Sequence, residues 1–425
     1  MNNARPTSRR RLPPDWALLL LFVVGIVSWT RSTFPLRMCD LFHIQYAAYE
    51  WKQGESQWIY CTKATFDEWL AHREPVRIAL GVPEDYNPHY YPPYLSALLI
   101  PVSTVPTIWW RNAVFVLNVG LLFVFAWQIL LACAVRVSLR TFLWAFGLVL
   151  ICYPMGMAMN CGQIGPGLAA LSWAGLLGIR RGNSTWAGAA LGFVGSVKMF
   201  PIGLLIHPAI TGRIKTAIAG AVVFFGIFAL SVATLGMDIH RRWWSALSDM
   251  SGAVWPYAGN QSLLGWFSRL VLGHGIEELP FAPTPLTNTV KIAVFVLVAG
   301  VTGFVLLRST FRIEATDFVP RAGLLMSGIL LASPLVWEHY WLFTLPALGW
   351  ALHETWVEPD SRVWTALLFV GAFFFTMRLN HFYGSAFIGP FLSGSQTLGL
   401  LLFWIWLLRR VSRGPSPMTL RLQGI

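Results

Sequence analysis

Charge is scarce in this 425-residue chain: Asp, Glu, Lys and Arg make up 12% of it, while 56% is hydrophobic and the mean hydropathy is +0.57. A soluble domain carries about a quarter of its residues as charges, so an ordinary water-facing surface is excluded. Acids are scarcer than bases, 19 against 31. A nucleotide-binding glycine loop is also lacking: residues 162–167 read GQIGPG, without a lysine and without a preceding strand, which argues against ATP-driven transport. The net charge of +12 is no nucleic-acid footprint either, because apolar runs separate the basic residues and leave no contiguous basic surface.

Long apolar runs dominate instead. They fall at 16–29, 112–135, 142–158, 164–179, 216–236, 289–307, 321–335, 340–353, 363–378 and 392–408. Backbone polar groups inside lipid must be satisfied within their own segment, so such runs predict transmembrane helices. The expected fold is an all-α polytopic membrane protein, one membrane domain over 1–425 with about ten spans. Arg9, Arg10 and Arg11 precede the first run and no small-residue cleavage site follows it, which predicts an uncleaved anchor with a cytoplasmic N-terminus.

Basic residues then test the topology. Arg136, Arg140, Arg180, Arg181, Arg213, Lys215, Arg308, Arg312, Arg409, Arg410 and Arg413 share one face only if residues 186–210 enter and leave on the same side. Lys198 and Pro201 interrupt that segment, which suits two half-membrane helices meeting at a cavity. Both termini are then cytoplasmic. Two large segments, 31–93 and 237–288, are left outside, and the first holds eight of the 19 acids.

Ionisable groups near a bilayer are costly and therefore candidates for function. Asp40 heads the first outer loop, in front of the aromatic-rich stretch 40–53, expected as an amphipathic helix along the membrane interface with His43 on the same face as Asp40. Asp40 suits a general base, or an N-cap for that helix. Residues 65–72 suit a second short helix, and 86–94 (YNPHYYPPY) offer tyrosine faces for a sugar or for an interfacial belt. Cys133 and Cys152 fall in apolar runs and read as small core residues. Cys39 and Cys61 share the outer loop, as two thiols or as a disulfide.

The ordered set of Asp40, Tyr91 to Tyr94, Gly162-Gln163, Gly192 with Lys198 and Pro201, Asn260-Gln261-Ser262 with Arg269, and Ser333-Pro334 through Trp337, Glu338 and His339 resembles the GT-C superfamily of membrane glycosyltransferases. Within it the chain resembles glycosyltransferase family 87, which includes polyprenol-phosphate-mannose-dependent mannosyltransferases. Family members often carry Asp before the His and a second His after it; this chain has Glu338 and Tyr340 there.

The resemblance implies a GT-C fold in a bacterial cell membrane. It also implies transfer of a hexose, mannose above others, from polyprenyl phosphate to a lipid or glycan acceptor at the outer face, with inversion. Asp40 is then the base. His339, Arg378, Arg269 and Lys198 become candidates for the leaving phosphate, and His43, Tyr91, Asn260, Gln261, Glu338 and His381 for the substrate. Ser262 also suits a helix cap before Leu263. No cofactor is implied and no metal set is indicated. A secondary transporter, or a membrane protein that binds lipid-linked sugar without transferring it, stays as the alternative, although the halves show no inverted repeat and a large acid-headed outer loop is unusual in transporters.

Overall fold

The computed structural model describes residues 14–82, 88–273, 275, 280–310, 318–358, 360–377, 379 and 388–413. These are almost entirely helical, and their only bridge pairings are Val254 with Phe281 and Asn260 with Trp337. Among the described residues four helices are long and apolar enough to cross a membrane: α1 (Asp15–Thr33) and, further along, Thr107–Cys133, Ile214–Leu235 and Pro285–Ser309. A bent pair makes a fifth.

The segment after α1 folds as α2 (Cys39–Gln53), α3 (Phe66–Ala79) and the short α4 (Pro93–Leu98). α2 does not lie exposed on an interface. Leu41 to Ala48 and Glu50 are all buried, the polar His43, Gln45 and Glu50 included, because the rest of the loop wraps the helix: Phe42 and Tyr46 pack with Cys61, Trp69 and Val82. Asp40 is not its N-cap either; Met38 holds that position in a left-handed conformation, and Asp40 sits in the first turn.

The bundle proper follows, with α5 (Thr107–Cys133), α6 (Leu139–Ile151), α7 (Tyr153–Asn160) and α8 (Gly165–Arg180). The single run expected at 142–158 is two helices meeting at 62°, since Pro154 starts a new helix at its first turn and ends the old one before it.

The interrupted segment comes next. α9 (Ser184–Val197) stops at Lys198; a 3₁₀ stretch, Phe200–Leu205, and α10 (Ile206–Ile210) then lead into α11 (Ile214–Leu235). α9 and α11 run parallel, because a side chain at Gly188 would strike Thr216 O at 2.1 Å and one at Gly192 would strike Gly220 O at 2.1 Å. Residues 198–213 must therefore retrace the length of α9. They do: Arg213 donates to Ile179 O, beside the α8–α9 turn. The segment leaves at the end where it entered, as the arginine pattern requires, although its return arm is largely 3₁₀ rather than a second α half-helix.

The segment after α11 contains α12 (Met237–Gly252) and α13 (Leu263–Val271), and α14 (Pro285–Thr310), α15 (Phe318–Ala332), α16 (Leu345–Val357), α17 (Arg362–Thr376), α18 (Gly389–Leu392) and α19 (Ser395–Arg413) follow among the described residues. A 3₁₀ stretch, Glu338–Thr344, precedes α16.

Candidate active site

A tight turn places Asp40. Asn160 at the end of α7 donates its side-chain amide to Thr33 O (2.9 Å) and Pro35 O (2.6 Å), while its own carbonyl accepts from the backbone of Arg37 (2.9 Å) and Met38 (2.8 Å). The Asp40 amide donates to Cys161 O at 3.0 Å. Gly162 makes this approach feasible: its φ is +67°, and a side chain there would meet Met38 Sδ at 2.6 Å and Leu41 Cβ at 2.9 Å. Asp40 is half-buried at that junction.

Gln163, the next residue, is the hub. Its side-chain Oε1 accepts from Tyr91 OH at 3.0 Å and from Lys198 Nζ at 3.3 Å. The ammonium of Lys198 also lies 4.3 Å from the centre of the Tyr340 ring and 5.7 Å from that of Tyr91, a cation held by two aromatic faces. A Cβ on Gly165 would sit 3.6 Å from His339 Cδ2 and 3.8 Å from Lys198 Nζ, so α8 begins between these two. Asp40 is the acid whose charge acts on Lys198, Tyr91 and Tyr340. The re-entrant segment thus delivers its lysine to the end of the bundle that carries Asp40.

His339 packs edge-on against Tyr340 at 4.9 Å, and its Nε2 is buried without a hydrogen-bond partner among the described residues. Glu338 accepts from Tyr153 OH at 3.3 Å, which ties this stretch to the bend after α6.

Three expected site residues serve the architecture instead. Arg269 donates to Ser393 Oγ (2.8 Å), Pro256 O (2.8 Å), Tyr257 O (3.1 Å) and Asn260 O (3.1 Å); a guanidinium so engaged knits the loop before α13 to α18. Asn260 donates to Trp255 O and accepts from the amides of Ser262 and Val336. Gln261 donates to Ala258 O and Ser393 O and accepts from Thr397. These amides bond to the loop's own surroundings, and Asn260 pairs as a bridge with Trp337, which sets the strand-like approach to Glu338 and His339. Ser262 caps α13, accepting from the Gly265 amide at 3.0 Å.

His43 is buried beneath α2, against Phe42. Burial, with the Arg73 charge next, holds its imidazole well below the ordinary range. Arg378 and His381 lie outside the described residues. Gln163 and Tyr340 were absent from the expected set; Gln163 belongs to the Gly-Gln element, and Tyr340 stands where a second histidine was looked for.

Residues 89–334 match the model of glycosyltransferase family 87, more than half of the chain. The chain belongs to glycosyltransferase family 87. The matched segment of this family 87 protein holds Tyr91, Gln163 and Lys198, and the fold brings Asp40 and His339, from either side of it, to the same place. Among curated proteins, a polyprenol-phosphate-mannose-dependent alpha-(1-2)-phosphatidylinositol pentamannoside mannosyltransferase of Mycobacterium tuberculosis is 27% identical over 311 residues, 67% of this chain and 64% of the relative. A protein of the same description from Mycolicibacterium smegmatis is 25% identical over 284 residues, 63% of this chain and 61% of the relative. The chain thus spans less than two thirds of the length of either relative. No solved structure matches it.

Proposed function

We propose that this family 87 protein transfers a hexose, mannose, from a polyprenyl-phosphate donor to a lipid or glycan acceptor at the outer face of a bacterial cell membrane. It does so with inversion, within a single GT-C domain of about ten spans whose termini are cytoplasmic. The observation that carries the reading is the Asp40–Gln163–Lys198 cluster: an acid and a cation brought together, with aromatic faces, at the end of the bundle away from the arginines of the turns. The names of the mycobacterial relatives favour the donor and the sugar.

In this mechanism Asp40 takes the proton of the acceptor hydroxyl as the oxygen attacks the anomeric carbon. The bond to the phosphate oxygen breaks on the opposite face of the sugar. One carboxylate suffices for a single displacement. Negative charge leaves Asp40, which becomes neutral, and grows on the departing phosphate. Lys198, which feels the charge of the acid, follows that transfer by giving its N–H donors to the phosphate, with His339 as a second donor.

Replacing Asp40 by Asn preserves shape and removes the base. Transfer is expected to fall by about 10²-fold or more while donor binding stays near wild type. Wild-type turnover by the variant, in a reconstituted assay with polyprenyl-phosphate mannose, would overturn the assignment.

A further inference from the structure

Cys39 and Cys161 lie on opposite sides of the junction that seats Asp40. Cys39 is the first residue of α2 and Cys161 follows α7. Their sulfurs and a carboxylate oxygen of Asp40 are all within 4.8 Å of one another, and all three residues are half-buried. The backbone around them is already stitched, since Arg37 and Met38 donate to Asn160 O and Asp40 donates to Cys161 O. None of the five cysteines forms a disulfide in this structure.

We propose that Cys39 and Cys161 are the pair that becomes covalently joined, forming a disulfide that fastens Asp40 against the turn carrying Gln163. The proposal rests on the outer-face reading given above, because only an oxidising compartment sustains such a bond. Cys61, which shares the outer loop with Cys39, is the poorer partner. It is buried among Phe42, Tyr46 and Trp69, and burial pushes its thiol up to about 12, whereas the attacking species in exchange is the thiolate.

The reaction is a thiol–disulfide exchange with an outer-compartment disulfide, protein or small molecule. The Cys39 thiolate attacks that disulfide and expels one thiol; Cys161, losing its proton, then attacks the mixed disulfide and expels the second. Two protein thiols are oxidised, one external disulfide is reduced to two thiols, and the two protons pass to the departing sulfurs. The ring so closed runs from α2 through α7, a long loop whose closure strongly restricts the unfolded chain.

Differential alkylation tests this on full-length protein in native membranes. Thiols are blocked first with an impermeant reagent, then with a permeant one; the membranes are reduced, alkylated with a second label and analysed by mass spectrometry. The expected result is that Cys39 and Cys161 take only the post-reduction label and that non-reduced digests contain a Cys39–Cys161 linked peptide. Purified protein should also melt at a lower temperature after dithiothreitol, a shift that Cys161→Ser abolishes. A Cys39–Cys61 peptide, or blocking of Cys39 and Cys161 before reduction with or without a chelator, overturns the proposal. Blocking by the impermeant reagent from outside overturns the disulfide alone and leaves the outer-face reading standing; blocking reached only by the permeant reagent overturns both.

Discussion

Lys198 and Tyr91 share one acceptor, the side-chain oxygen of Gln163, at 3.3 and 3.0 Å. A buried ammonium is tolerated only when paired or solvated by protein dipoles, and here an amide oxygen, two aromatic faces and the nearby Asp40 take that part. Losing Gln163 therefore loosens both the cation and the tyrosine.

Gln163→Leu is expected to lower transfer by about 10-fold to 10²-fold, and Lys198→Met by about 10²-fold to 10³-fold, the range for one donor opposing developing charge. Both should weaken inhibition by polyprenyl phosphate more than binding of the sugar-bearing donor, whose phosphate carries less charge. Product-inhibition constants decide this: unchanged affinity for polyprenyl phosphate in Lys198→Met places the cationic site elsewhere.

Asn260 and Arg269 are expected to behave as architecture. Asn260→Ala orphans the buried amides of Ser262 and Val336 and should cost about 2–5 kcal/mol, seen as a lower melting temperature and lower yield. Arg269→Lys loses the planar fork and should do likewise. Wild-type melting together with lost donor affinity would show instead that these groups contact substrate.

The re-entrant path makes a claim about sidedness. Single cysteines introduced as Asn183→Cys and Thr211→Cys, in a background with the native cysteines replaced, should both react with an impermeant thiol reagent from the cytoplasmic face alone. Labelling of one site from outside would make the segment a full span and invert every later loop.

The segment between α1 and α5 should also respond to acid. Burial holds His89 at about 3 and His43 well below its ordinary value, so below about pH 6.5 the unfolded chain takes up protons that the folded one refuses. Stability is thus present above that pH and is lost as pH falls toward 3, by up to about 1.4 kcal/mol per pH unit for each histidine. Glu50, raised by burial, acts in the opposite sense. The comparison with His89→Gln isolates the histidine: the variant should lose less melting temperature between pH 7 and pH 5 than wild type, and equal losses would refute the assignment.

Much of this was legible in the sequence. Apolar runs located the helices because lipid leaves the backbone few options, and the arginine pattern demanded that 186–210 return to its starting face. Asp40 stands out by the scarcity of ionisable groups, Tyr91, Lys198 and His339 by the family resemblance, and the fold gathers them. Two things were hidden. The bend after Ile151 depends on Pro154, whose effect on a long apolar run is visible only when the new helix departs. Asn260 and Gln261 read as sugar ligands because a polar motif looks the same whether its partners are substrate hydroxyls or the backbone of its own loop.

The glycine seam between α9 and α11 has a consequence for assembly. Gly188 and Gly192 hold α9 in backbone contact with a helix made later in the chain, so the hairpin finds its seat only after α11 is in place. Gln163 is made before this lysine, but Tyr340, whose ring faces the ammonium at 4.3 Å, is made after α11, so the cation's surroundings are complete only late in the chain. A chain arrested before α11 would hold the acid with its cation not yet seated against the glycine seam: an anchored intermediate whose maturation is a docking event within the membrane.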